Sequence, residues 1–291
     1  MGSNLDDCMA VRQGSSRTGQ PGEARKRLFD LRHAIVPSDY LHLVRFHAYY
    51  LCGGRIMGWR SKVAAALASL SAIGTGGAAV ADEGPDFISA WTGFDGSLDS
   101  QYGYAGAAYA FGNDIDSDGV IARIGFGGGQ YRTDGANSHL VDHYNLDLML
   151  GYHFNIDGAV IALYAGGDIN FHNNDDPSTD IRGLEPGAKA QIEAYAPLSE
   201  WLFFAAFANY STAFNTFDAS AKLAYRINDS FSIGPETAVL GCEGFNQVRA
   251  GIASAWRIGN ATELAPSAGA AWKFAEGDYG LYAAINLYTR F

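Results

Sequence analysis

The stretch Tyr144-Asn145-Leu146-Asp147-Leu148-Met149-Leu150-Gly151-Tyr152-His153-Phe154 decides the fold. Tyr144, Leu146, Leu148, Leu150, Tyr152 and Phe154 share one parity, while Asn145, Asp147 and His153 share the other. Period two sustained over this length means a β-strand lying between two unlike environments. The same alternation returns around Phe217–Ile227, where Asp218, Ser220, Lys222 and Arg226 oppose Phe217, Ala219, Ala221, Leu223, Tyr225 and Ile227. It returns again in Ala188–Ala194 and in Val248–Trp256.

A soluble β-sandwich also alternates, but three features favour a strand that crosses a membrane. The alternating runs exceed the usual sandwich strand and match a tilted crossing of the outer membrane. Aromatics gather near strand ends at Phe154, Trp201, Phe203, Phe231 and Trp256, as in a headgroup-level girdle. The links also alternate in style. Tight polar turns at 155–158, 197–200, 228–230 and 258–260 interleave with looser ones at 132–140 and 172–183. The 36 Gly, 16 Tyr and 17 Phe likewise favour aromatic strands with tight bends over long helices.

The last segment, Tyr279–Phe291, is amphipathic to its end. Tyr279, Leu281, Ala283, Ile285, Leu287, Thr289 and Phe291 lie on one face. It looks like the C-terminal strand of outer-membrane proteins that ends in Phe, except that Thr289 stands where a second aromatic is usual. The expected strands are 87–95, 101–112, 119–131, 142–154, 158–170, 185–196, 200–210, 216–227, 230–240, 246–257, 261–273 and 279–291. The expected fold is therefore all-β, a transmembrane antiparallel up-and-down β-barrel of about twelve strands, with ten as the runner-up. Pro266 makes 261–273 one of the two weakest placements, beside the first strand.

The beginning of the chain reads differently. Met57-Gly-Trp-Arg-Ser-Lys, an Ala-rich apolar run from Val63 to Ala78 and the small-x-small ending Ala79-Val80-Ala81 follow the order of a signal peptide over 57–81. Residues 1–56 are then most simply a mis-called start upstream of Met57, the alternative being a genuine extension. The barrel is expected over 82–291. Residues 1–81 hold ten of the 20 basic and five of the 31 acidic residues, so the formal charge from Asp82 onward is −16. That balance excludes nucleic acid as a partner. Cys242 is the single cysteine beyond residue 81, so the barrel has no internal disulfide, and the absence of a Cys/His cluster argues against zinc.

The inward parity supplies a polar set: Arg123, Asp147, Asp168, Lys189, Glu193, Lys222, Arg226, Glu236 and Arg249. Both signs are present. The favoured reading is a self-satisfying network filling a small lumen, because buried charges need partners, and the competing one is a path for a solute or sugar. Asp114-Ile115-Asp116-Ser117-Asp118-Gly119 begins like a calcium loop, but its twelfth position is Gly125 where a bidentate Glu is needed. A solvated turn is the better reading. Asn173-Asn174-Asp175-Asp176-Pro177 is most simply an exposed loop. No G-x-S-x-G or H-E-x-x-H occurs, and His143 and His153 fall on the inward parity, away from any lipid substrate. Neither catalysis nor a cofactor is expected.

Five segments give the chain a resemblance to a known family. They are Trp91-Thr-Gly-Phe-Asp95, Tyr102-Gly-Tyr-Ala-Gly106, Gly151-Tyr-His-Phe154, Tyr210-Ser-Thr-Ala-Phe-Asn-Thr-Phe217 and Ile233-Gly-Pro-Glu-Thr-Ala-Val-Leu-Gly-Cys-Glu-Gly-Phe245. On these the region from about Ala90 to Phe291 resembles the cellulose biosynthesis protein BcsS family of proteobacteria. The resemblance implies an exported accessory of cellulose production or secretion, distinct from the inner-membrane glycosyltransferase and from the larger cellulose exit pore. It carries no catalytic residues. Tyr210, Phe214 and Glu243 lie in the two most distinctive segments and form a candidate saccharide-contact rim, with Glu236 a further candidate. Their structural alternative is Tyr210 and Phe214 as girdle aromatics, with Glu236 paired to Arg226 or Arg249. The expected partners are outer-membrane lipid and, through the resemblance, cellulose or its secretion apparatus. A small-solute channel and a lipid-modifying enzyme are the competing functions.

Overall fold

The computed structural model describes residues 85–291, leaving aside 98, 113, 134–137, 175, 177, 178, 275 and 276. The signal peptide and upstream segment expected over 1–81 lie outside the described residues. Twelve antiparallel strands follow one another, each paired with its sequence neighbours: β1 (Ile88–Ser97), β2 (Ser100–Ala110), β3 (Gly119–Arg132), β4 (Leu140–Ile156), β5 (Ala159–Asn174) and β6 (Gly183–Pro197), then β7 (Leu202–Ser211), β8 (Thr216–Asn228), β9 (Phe231–Cys242), β10 (Phe245–Ile258), β11 (Thr262–Lys273) and β12 (Tyr279–Arg290). β1 pairs with β12 from Ser89↔Arg290 to Ser97↔Tyr282, so the sheet closes on itself. The count is twelve and not ten.

Closure satisfies every strand edge, which is what a sheet in hydrocarbon requires. The outer wall is apolar: Leu146, Leu148, Leu150 and Ile252 are 48–64% exposed. From Tyr144 to Phe154 is ten residue steps, ~33 Å along the strand and ~24 Å across a layer when tilted by ~45°. That matches the apolar band of an outer-membrane barrel. At one end of the wall Tyr109 and Phe111, Tyr152 and Phe154, and Phe231 and Trp256 pair their rings 4.6–5.2 Å apart. At the other, Tyr144 stacks on Phe171 at 6.4 Å.

The start of β1 and the end of β12 lie at the first of these ends, here the terminal rim, with the links 111–118, 157–158, 198–201, 229–230 and 259–261. The remaining links form the loop rim. Asp157 (φ 51) and Gly158 (φ 88) make the two-residue turn from β4 to β5, where both positions need positive φ. Pro266 leaves β11 continuous. It has no N–H, and the β10–β11 pairing passes from Ala253↔Ser267 to Trp256↔Leu264 across it.

Candidate functional site

The inward parity is buried almost throughout, and its charged members reach across the lumen. Arg249 on β10 donates to both oxygens of Asp95 on β1, at 2.5 and 2.8 Å, and lies 5.0 Å over the ring of Tyr282. Arg123 on β3 pairs with Glu193 on β6 at 3.1 Å and lies 4.7 Å over Trp91. Gln191 donates to the same Glu193 oxygen at 2.5 Å. Lys189 on β6 pairs with Asp147 on β4 at 2.8 Å. Asp168 accepts from Ser211 and Asn170 at 2.7 and 2.8 Å. Glu236 accepts from Tyr282 at 3.2 Å and stands opposite Lys222 in the β8–β9 register.

Aromatic rings fill the space between these pairs because glycines face them. A Cβ on Gly106 would lie 2.3 Å from the Trp91 ring, and one on Gly151 2.2 Å from that of Tyr164. Tyr102 and Tyr104 donate to Asn145 and Asn286 on other strands. Each large side chain thus occupies the room a neighbour has vacated, and the lumen at these levels is packed like a core.

A link folds a side chain into each mouth. At the terminal rim the 111–118 link folds inward, burying Ile115 completely. The Ile115 N–H donates to Asp86 at 2.7 Å and its carbonyl accepts from His153 Nδ1 at 3.1 Å. His153 Nε2 then takes the Tyr164 hydroxyl at 2.6 Å, as a neutral ring protonated at Nδ1 does. Arg290, at the end of β12, ties this link to the segment before β1 through Asp116 at 3.0 Å and Asp86 at 3.1 Å. The acid-rich link is therefore a structural clasp: Asp114 accepts from Asp86 and Asp116 backbone, and Asp118 from Asn155. Among the described residues no three His, Cys, Asp or Glu side chains gather to hold a metal. At the loop rim the link between β7 and β8 turns Phe214 into the lumen, 4.0 Å from the His172 ring and nearly parallel to it. His172 in turn lies 4.5 Å from His143.

The structure separates the candidates as follows. Arg123, Asp147, Asp168, Lys189, Glu193, Lys222, Glu236 and Arg249 are all buried in the lumen. Arg226 is placed elsewhere, half-buried at the terminal end of β8, where it donates to the Glu200 carbonyl at 3.4 Å. Two steps beyond the buried Ala224, it keeps the inward parity but stands at the end of the strand, where the β8–β9 register shifts between Arg226 and Asn228. Glu236 consequently faces Lys222 and Tyr282, not Arg226. Phe214 is 1% exposed and cannot stack on a sugar from solvent. Its backbone (φ 49) and that of Asn215 (φ 47) form a left-handed turn that drives the ring inward. Phe203 also points into the lumen, 5.7 Å from Tyr195, and leaves the girdle to Trp201.

Tyr210 and Glu243 do meet, through Asn215. The Tyr210 hydroxyl donates to Asn215 Oδ1 at 2.8 Å and Asn215 Nδ2 donates to Glu243. The sequence reading omitted Asn215, Asp95, Tyr282 and His172. Asp95 carried a legible signal, since it shares its parity with Trp91 on β1. Asn215 has no parity to read, because a turn has no period, although it stands in the same distinctive segment as Tyr210 and Phe214. A lipid-facing His–Ser pair has no geometry here: His143, His153 and Ser211 are 0–1% exposed inside the barrel.

A closed antiparallel barrel with an apolar wall, aromatic ends and a polar packed interior is an outer-membrane β-barrel. Within that class the chain belongs to the family described as cellulose biosynthesis protein BcsS, whose model matches residues 89–291. No curated protein matches the chain. Solved structures similar to it include the KdgM porin in complex with disordered oligogalacturonate, at 8% identity, 70% of this chain, 99% of that one and a TM-score of 0.43. An outer membrane channel from Pseudomonas putida F1 is 11% identical over 72% and 96%, with a TM-score of 0.46. The translocator domain of autotransporter NalP from Neisseria meningitidis is 14% identical over 79% and 98%, at 0.43.

Proposed function

We propose that the protein is a non-enzymatic accessory of cellulose biosynthesis at the outer membrane, acting from its loop rim and not through its lumen. The observation that carries the second half is the packed interior. Arg249–Asp95 and Arg123–Glu193 reach over intervening strands from opposite walls, and Ile115 and Phe214 fold into the two mouths. A polymer chain has no path past them, and the same packing weighs against the small-solute channel. Family membership supports the first half.

The exposed chain Tyr210–Asn215–Glu243 is the candidate contact for saccharide. An aromatic ring offers a flat apolar face, while the carboxylate and amide exchange hydrogen bonds with hydroxyls. Cellulose itself, or a component of its secretion apparatus, is the partner this rim fits.

A clean deletion strain tests the reading. Extracellular cellulose, measured by dye binding and enzymatic digestion beside the complemented parent, is expected to fall or to be misassembled and to return on complementation. Complementation with Glu243→Ala or Tyr210→Ala is expected to restore it incompletely. Unchanged cellulose in the deletion strain, under conditions where the parent clearly makes it, sinks the proposal.

A further inference from the structure

The outer wall of β1–β4 is not uniformly filled. One row of outward residues crosses it as Phe94↔Gly103↔Gly128↔Tyr144. The two middle strands have no side chain there, and a groove of about 510 Å³ lies between the flanking rings. Tyr102 and Tyr104 also border it, but they are 0% and 8% exposed, so its open surface belongs to the lipid-facing side chains. Phe126, 57% exposed, and Ala105 continue the groove toward the middle of the wall.

The groove is polar at one end alone. One step nearer the loop rim the row becomes Gln101↔Gln130↔Asp142, still facing outward. Gln101 donates to Gln130 at 3.0 Å and Gln130 donates to Asp142 Oδ1 at 2.5 Å. Among the described residues no cationic side chain pairs with Asp142. A half-exposed carboxylate with no counter-charge among the described residues, beside a tyrosine at headgroup level, is placed to pair with a cation from outside the protein. Apolar floor toward the midplane and acceptors toward the rim is the polarity of one leaflet lipid standing along the strands.

We infer that this groove holds one acyl chain of a membrane lipid whose ammonium headgroup docks on Asp142 and Gln101. The volume falls in the range of ordinary ligand sites. A second copy of this chain fits less well, since two such faces would bring two Asp142 carboxylates toward one another. The site is independent of the cellulose reading and stands or falls without it.

The test reconstitutes the full chain in nanodiscs of equal phosphatidylethanolamine and phosphatidylglycerol with matched acyl chains. Gentle detergent extraction and native mass spectrometry then count the lipids retained. One phosphatidylethanolamine per barrel is expected. Gly103→Leu projects into the groove floor from a position where a Cβ has only the Gly93 carbonyl near it, at 3.9 Å. It is expected to lower retention about tenfold, what losing two buried methylenes gives. Asp142→Asn is expected to keep the chain and reduce the preference for the ammonium lipid about threefold. If Gly103→Leu fails to fold, Ala105→Leu occupies the adjoining part of the groove and carries the same expectation. Retention unchanged by the filled groove, preferential retention of phosphatidylglycerol, or a dimer mass in place of bound lipid each overturns the inference.

Discussion

At the scale of single residues, the barrel stores its specificity in buried charges. Arg249 and Asp95 lie 2% and 6% exposed and are held by two hydrogen bonds. Asp95→Ala leaves a guanidinium without its carboxylate in a packed interior, and the expected cost is ~3–5 kcal/mol in urea unfolding followed by tryptophan fluorescence. Replacing both partners, Asp95→Leu with Arg249→Met, is expected to recover most of that loss, since a buried pair barely repays its desolvation. Equal losses in the single and double variants would mean that the pair is not the unit that matters. Glycines give a second residue-level contrast. Gly106→Ala puts a Cβ 2.3 Å from the Trp91 ring and 2.7 Å from the Ile124 carbonyl, so ~1–3 kcal/mol of overpacking is expected in the same assay. Gly103→Ala meets only the Gly93 carbonyl, at an ordinary contact distance of 3.9 Å, and serves as the control. None of the charge pairs could be read from the sequence. Parity says that Asp147 and Lys189 face inward, but which carboxylate meets which cation depends on closure, and Asp95 and Arg249 stand 154 positions apart.

At the scale of the strand, the sequence was nearly transparent. Alternation sets the face of every residue in β4 because lumen and lipid impose opposite demands on successive positions. The limits of that rule show where it fails. Trp201-Leu202-Phe203-Phe204 is an unbroken apolar run at the start of β7, so parity cannot be read from it, and Phe203 turns inward while Trp201 belongs to the turn. Phe214 lies in a left-handed turn, where neighbouring side chains do not alternate at all. The strand also predicts how mutations grade with depth. Leu148, 64% exposed, is near the middle of the apolar band, and Ile156, 59% exposed, is at the terminal end of the same strand. Leu148→Arg is expected to cost ~2–4 kcal/mol and Ile156→Arg ~0–1 kcal/mol, measured by reversible unfolding in lipid. Equal costs at the two positions would remove the outer wall from the bilayer.

For the whole molecule, closure of the sheet and closure of the lumen are separate facts with separate causes. The first follows from strands that must satisfy their edges in hydrocarbon. The second is a choice of side chains, since twelve strands leave room that Tyr102, Tyr104, Trp91, Tyr164 and Tyr282 fill only because glycines or small residues face them. A barrel built to conduct would carry small polar groups at those positions, whereas here Arg249 is stacked on Tyr282 and Arg123 on Trp91. The consequence is electrical. The native barrel in a planar bilayer is expected to show no steady open level, because an ion would have to pass between packed rings and paired charges. Removing one wall of that packing, with Tyr282→Ala and Arg249→Ala together, frees the Asp95 carboxylate toward water entering the vacated space and is expected to produce cation-selective openings. Steady conductance from the native barrel would restore the channel reading. Silence from the native barrel with openings in the double variant would show that the side chains seal a sheet otherwise wide enough to leak.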